Sequence, residues 1–309
     1  MDVKWVPGFS SFLTVFVAVN HEGYLHFVLF QGDKNMSGIS ATSWIVSSPH
    51  VFMREEPLDK ATVCSDLVYS EQVELLREEG PWARIRNKVD AYEGWVKKAS
   101  LVSADASPTN MPVVTINRLA AHLFSQADVK QGPVVTLHFE SKLHVIEEVN
   151  SRWLKVALVD GTPVYVQRGD ITTESKPLSI SDLPEFSKRF IGLSYTWGGR
   201  SSFGYDCSGF VQMLYRQAGI LLPRDSKDQV AWQGLQPVSL SDLQPGNLLF
   251  WGGGENAIRH VGMYIGQKQF IHAAVRENMP YIHVSSLDTP EWSVGEIWSI
   301  VCARRLREK

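Results

Sequence analysis

The sequence predicts an α+β protein, in which a helix packs on an antiparallel sheet and two small β-barrels precede that domain. Three observations carry this. Between Trp44 and Val102, five short stretches rich in β-formers follow one another across turn signals. A weaker copy of the pattern runs from Val113 to Val166. Beyond it, Ser208 to Ala218 reads as one amphipathic helix, and strand patterns follow.

A length of 309 residues fits two to three domains, and 44% hydrophobic with 20% charged residues is ordinary for a globular chain. The net charge of -3 gives no reason to expect a nucleic-acid partner. Residues 8–19 form an apolar run after Lys4, but Asp2 sits in the same segment and no small-residue cleavage site follows. The run is too short to span a bilayer, so no stable membrane insertion is expected. Residues 1–35 read as an N-terminal extension. The three cysteines, Cys64, Cys207 and Cys302, are too few and too odd in number for a disulfide scaffold. They fit a reducing compartment, which makes a cytoplasmic location the expectation and export or a periplasmic location the alternative.

In the first barrel, residues 36–103, the expected strands are Ile45-Val46, Val51–Met53, Gln72–Leu76, Trp82–Ile85 and Glu93–Val96, with turns at Gly80-Pro81 and Asn87. Residues 103–112 are a polar, proline-bearing linker. The second barrel, residues 113–173, offers Val113–Ile116, Ala121–Phe124, Leu143–Glu147, Trp153–Val156 and Pro163–Val166. After a second linker, residues 181–309 open with a helix at Ser181-Asp182-Leu183-Pro184. A short helix is expected up to Trp232, then strands at Leu248–Trp251, Arg259–Ile265, Gln269–Ala274 and Ile297–Arg304.

Cys207 stands where a glycine-rich loop enters the main helix, with Asp206 as N-cap and Gly219 as stop. Free N–H groups and the helix dipole favour an anion there, and such sites lower a thiol pKa from ~8.5 to ~3.5–7.5. His260 and His272 lie on two strands joined by a hairpin at Gly266-Gln267-Lys268. If Ile265 pairs with Gln269, even-numbered residues face one another and the two histidines are diagonal neighbours on one face. A two-residue loop would flip the parity and part them. A thiol, an imidazole base and a polar group orienting the base form a nucleophilic catalytic set. In it Cys207 attacks a carbonyl, His260 moves the proton, and His272 fixes the tautomer of His260. The Cys207 N–H and the Tyr195 hydroxyl would hold the oxyanion. The same residues also admit a buried structural cysteine, core histidines, or a zinc site. His21, His26, His50, His122, His138, His144 and His283 lack a comparable setting and read as surface or structural.

Six motifs in order then resemble the NlpC/P60 family of cell-wall cysteine peptidases: Tyr195-x-Trp-Gly-Gly, Asp206-Cys207-Ser208-Gly209-Phe210, Leu222-Pro223-Arg224-x-Ser226-x-x-Gln229, Pro245-Gly246-x-Leu-Leu-Phe, His260-Val261-Gly262-x-Tyr264-x-Gly266 and Phe270-Ile271-His272-Ala273. The resemblance covers roughly residues 181–309 and implies a papain-like fold with a Cys-His-His set and no cofactor or metal. The upstream features, Arg54-Glu55-Glu56-Pro57, Gly-Pro-Trp and Tyr92-Glu93-Gly94-Trp95-Val96, resemble bacterial SH3-like domains. The whole order is similar to γ-D-glutamyl-L-diamino-acid endopeptidases that act on murein peptides bearing a free N-terminal L-Ala. That implies an amine site of Asp206, Ser208, Tyr92 and Glu56, with Arg224 orienting the carboxylate side of the substrate. A non-catalytic wall-binding protein, or a hydrolase remodelling intact wall, are the alternatives.

Overall fold

The computed structural model describes residues 16–19, 25–28, 43–108, 110–173, 176–275, 278–289, 292 and 299–307. The chain divides into two units, Met1–Ser40 and Ala41–Lys309. In the first, β1 (Phe16–Val19) pairs antiparallel with β2 (Leu25–Val28). The rest of the expected extension, His21 included, lies outside the described residues.

The second unit opens with β3 (Ser43–Val46), β4 (Val51–Arg54), β5 (Val63–Leu67), β6 (Gln72–Glu79), β7 (Trp82–Asn87), β8 (Glu93–Lys97) and β9 (Leu101–Ser103). They pair in the order β5-β4-β8-β7-β6-β3-β9. Next come β10 (Val113–Ile116), β11 (Ala120–Phe124), β12 (Val135–His138), β13 (Lys142–Glu148), β14 (Trp153–Ala157), β15 (Pro163–Gln167) and β16 (Ile171–Thr172), ordered β12-β11-β15-β14-β13-β10-β16. The two sheets thus repeat one strand order, each with its own apolar core. Each ladder has two free ends, so the barrels expected from the sequence are open seven-stranded sheets in their hydrogen bonding. Each sheet also has two strands that the sequence reading passed over, β5 and β9 in the first and β12 and β16 in the second.

The C-terminal part carries α1 (Leu183–Ser187), the small hairpin β17 (Arg200–Ser201) and β18 (Gly204–Tyr205), α2 (Cys207–Gln217) and α3 (Ser226–Ala231). A six-stranded sheet follows: β19 (Leu235–Val238), β20 (Leu248–Gly252), β21 (Ile258–Gly266), β22 (Gln269–Ala273), β23 (Ile282–Ser286) and β24 (Ile300–Leu306). Its order is β19-β24-β20-β21-β22-β23, all antiparallel. Ile297, the expected start of the last strand, lies outside the described residues. Helix α2 is buried along most of its length because Phe210, Val211, Leu214 and Tyr215 fill the core it shares with β20, β21 and β22. Among the described residues no helix is long and apolar enough to cross a membrane.

Candidate active site

Asp206 starts α2. Its backbone is extended, and its Oδ1 accepts from the Gly209 N–H at 2.7 Å, which satisfies one of the orphan donors of the first turn. Gly219, at φ +75°, ends the helix as the sequence requires. Upstream, Gly198 has φ +74°, and a Cβ there would stand 2.7 Å from Val63 Cγ1. Glycine therefore lets the loop before the cysteine lie directly on β5 of the first sheet.

Cys207 is the first residue of α2 and is 8% exposed. Its sulfur meets the backbone N–H of Val261, the residue after His260 on β21. Burial pushes the thiol up to about 12, and the Asp206 carboxylate pushes the same way. The N–H groups of Val261 and Ser208 and the Arg224 guanidinium pull it down, but burial prevails. Burial thus works against the low pKa expected from the helix N-terminus alone. Tyr195 is half-buried beside it, its phenol held protonated first by burial, with the Asp206 carboxylate pushing the same way.

His260 Nε2 lies 2.8 Å from His272 Nδ1, and His272 Nε2 lies 3.0 Å from Ser285 Oγ. The chain of contacts therefore extends one residue beyond the expected set, to Ser285 on β23. The register explains how the rings meet. Met263 pairs with Ile271 and Tyr264 with Phe270, the parity expected from an Ile265–Gln269 pairing. The hairpin loop itself is only two residues, Gln267 and Lys268, both at positive φ. A bulge between Tyr264 and Gly266 adds the residue that restores the parity. Both imidazoles are buried in an aromatic box. Trp292 stacks on His260 at 5.7 Å between centroids, Trp251 lies 5.3 Å from it, and His283 lies 4.5 Å from His272. The role of His283 as part of that box was not legible in its sequence setting.

The expected amine-binding residues divide. Tyr92 reaches across from the β7–β8 loop and donates its hydroxyl to Asp225, 3.2 Å from Oδ2. Asp206 and Ser208 lie behind the thiol, but Arg224 holds both. Its Nη2 donates to Asp206 Oδ2 at 2.6 Å, and its Nη1 donates to Ser208 Oγ at 2.9 Å. Its Nε donates to Ser65 Oγ of β5 at 3.0 Å, and the residue is 2% exposed. Arg224 is therefore not an open contact for a substrate carboxylate, as the resemblance had implied. It neutralises Asp206 and fixes it. Two further carboxylates lie in this cluster: Asp225, whose pKa burial raises, and Glu55, whose charge reaches Cys64 beside Arg224 and Asp225. Glu55 and Glu56 are both exposed, and it is the charge of Glu55 that reaches Cys64. Glu55 is one residue from the expected position, and Asp225 was hidden next to the more conspicuous Arg224. Among the described residues no group of three or more His, Cys, Asp and Glu side chains is arranged to hold a metal.

With this geometry in place, comparison with known proteins is direct. The NlpC/P60 family profile matches residues 192–297. The γ-D-glutamyl-L-lysine dipeptidyl-peptidase of Bacillus subtilis is 31% identical over 231 residues, 70% of this chain and 75% of that one. The protein of the same name from Bacillus cereus is 30% identical over 252 residues, 76% of this chain and 72% of that one. A crystal structure of an NlpC/P60 family protein from Bacillus cereus superposes with a TM-score of 0.73 at 23% identity, covering 86% of this chain and 99% of that one. The chain belongs to the NlpC/P60 family.

Proposed function

We propose that this protein is a cysteine endopeptidase that hydrolyses the γ-D-Glu–diamino acid bond of small murein stem peptides and selects those with a free N-terminal L-Ala. One observation carries the reading: the Cys207 thiol meets β21 beside the His260–His272–Ser285 chain, while Tyr92 donates to Asp225 and the charges of Glu55 and Asp225 both reach Cys64 on the first sheet. Dipeptidyl-peptidases of this kind among the relatives support it. In the tautomer where Nε2–H of His260 donates to His272, Nδ1 of His260 is the base. Cys207 Sγ attacks the γ-carbonyl carbon as its proton passes to that nitrogen. The oxyanion accepts from the Cys207 N–H and the Tyr195 hydroxyl. The C–N bond breaks, and the diamino acid leaves with the proton from His260. Water, deprotonated by His260, then hydrolyses the thioester and regenerates the thiol.

The substrate ammonium would sit between Asp225, Glu55 and the exposed edge of Asp206, with Tyr92 completing the pocket. In this reading residues 36–103 and 113–173 are SH3-like modules, residues 181–309 the papain-like catalytic domain, and residues 1–35 an extension. The free thiols of Cys64, Cys207 and Cys302 support a reducing, cytoplasmic setting over export. Incubation with L-Ala-γ-D-Glu-diaminopimelate should release L-Ala-γ-D-Glu, and Cys207→Ala should abolish the release. Cleavage that survives in Cys207→Ala would remove the mechanism. Equal cutting of intact crosslinked wall would make the enzyme a remodelling hydrolase.

A further inference from the structure

A cavity of about 1010 Å³ lies where the two seven-stranded sheets meet the α+β domain, and none of the residues of the cysteine–histidine site lines it. Its size is that of a ligand cleft. The floor is apolar, with Ile45, Tyr69, Ile116, Phe139 and Phe186. Five cationic side chains line it, Lys88, Lys142, Lys176, Arg189 and Arg216, against two carboxylates, Glu71 and Glu140.

Both carboxylates are committed within the protein. Arg200 donates to both oxygens of Glu71, at 2.8 and 2.9 Å. Arg216 and Gln217 hold Glu140. Lys88, Lys142, Lys176 and Arg189 therefore have no carboxylate partner among the described residues. Lys88 donates to Ser43 Oγ at 2.8 Å, and Arg189 donates to the Asn117 carbonyl. The like charge of Arg118 also reaches Arg189. On the wall, His144 Nδ1 is buried with no hydrogen-bond partner. All four cations are exposed, and together they set positive charge along the lining of one cavity, which favours an anion there.

We propose that this cavity binds a small polyvalent anion, its carboxylate or phosphate oxygens facing Lys88, Lys142, Lys176 and Arg189. Lysine suits such a ligand because its ammonium is a compact point charge that phosphate or carboxylate can approach from several directions. The site is separate from the peptidase reading, and either can fail alone.

Calorimetric titration of the full chain at low salt, with pyrophosphate in one arm and citrate in the other, tests it. At least one should bind, and added salt should weaken the binding. Lys142→Glu with Lys176→Glu should weaken it by about tenfold or more, since each reversal sets a like charge against the anion. Both lysines are exposed and make no side-chain ion pair among the described residues, so the double variant should keep full tripeptide cleavage, which checks its fold. Cys207→Ala should bind the anion as the native chain does. Binding of pyrophosphate alone identifies a phosphate ligand, and binding of citrate a carboxylate. No binding of either anion, or binding that the lysine reversals leave unchanged, overturns the proposal.

Discussion

At Cys207 two effects oppose each other. The first turn of α2 offers N–H groups that favour a thiolate, while burial at 8% exposure and the Asp206 carboxylate favour the thiol. With burial the larger effect, the proposed mechanism has the proton leave during attack, through His260. The difference in ultraviolet thiolate absorbance between native protein and Cys207→Ala should be absent at about pH 7 and rise only in the alkaline range. A titration step below about pH 7 would contradict this. Residue type and motif made the place of Cys207 at the head of α2 and the meeting of His260 with His272 legible in the sequence. They could not show that Arg224 is occupied by Asp206, Ser208 and Ser65, because that depends on a strand more than a hundred positions away. Nor could they choose between neighbouring carboxylates. Glu55→Gln should raise KM for a free-amine peptide by about tenfold or more, the size of a lost charge-assisted hydrogen bond of ~1.5–3 kcal/mol. Glu56→Gln should leave KM near the native value. Equal effects of the two changes, measured by steady-state kinetics, would show that Glu55 is not the amine ligand.

At the level of elements, most strands were legible because apolar residues alternate in them. Strand β5, Val-Cys-Ser-Asp-Leu, was not, because its polar residues face a partner rather than solvent. Asp66 accepts from the Arg200 N–H at 3.0 Å and from Ser201 Oγ at 3.0 Å, so this strand is polar where it docks on the catalytic domain. The β21–β22 hairpin is a second case. Its two-residue loop alone would separate the histidines, and only the bulge at Ile265, invisible in the residue pattern, brings them to one face. At the end of β12, His138 shows how tightly the elements meet. Its Nε2 accepts from the Tyr69 N–H at 3.2 Å, and its Nδ1 donates to the Phe139 carbonyl at 3.0 Å. Burial holds its pKa below the usual value, although Asp66 and Glu71 pull it up. The folded state therefore binds fewer protons than the unfolded state just below about pH 6.5, and stability falls as pH drops through that window. Protonation would set a second N–H against that of Tyr69. Calorimetry at about pH 7.5 and 5.5 should show a drop in Tm that is smaller in His138→Gln. An equal drop in both would contradict the assignment.

Over the whole molecule, the two sheets and the catalytic domain form one unit rather than modules on a string. Arg200, fully buried, ties the first sheet to the loop before the nucleophile through Glu71 and Asp66. Arg216 and Ser202 tie in the second sheet through Glu140, Leu119 and Phe139. Breaking a buried pair such as Arg200–Glu71 strands a charge, which makes this docking rigid. The linkers in the sequence mark where the bodies begin but carry no sign of this clamp, since its partners lie 63 or more positions apart. In the function proposed above, Tyr92 and Glu55 would stand at the amino-terminal end of the bound peptide, which would present its own terminus there as a cation. The direct measurement is mass spectrometry of products from L-Ala-γ-D-Glu-diaminopimelate with its amine free or acetylated. Dipeptide release from the free peptide, with a loss of kcat/KM of at least about a hundredfold on acetylation, is the predicted result. Equal cleavage of both peptides would contradict it.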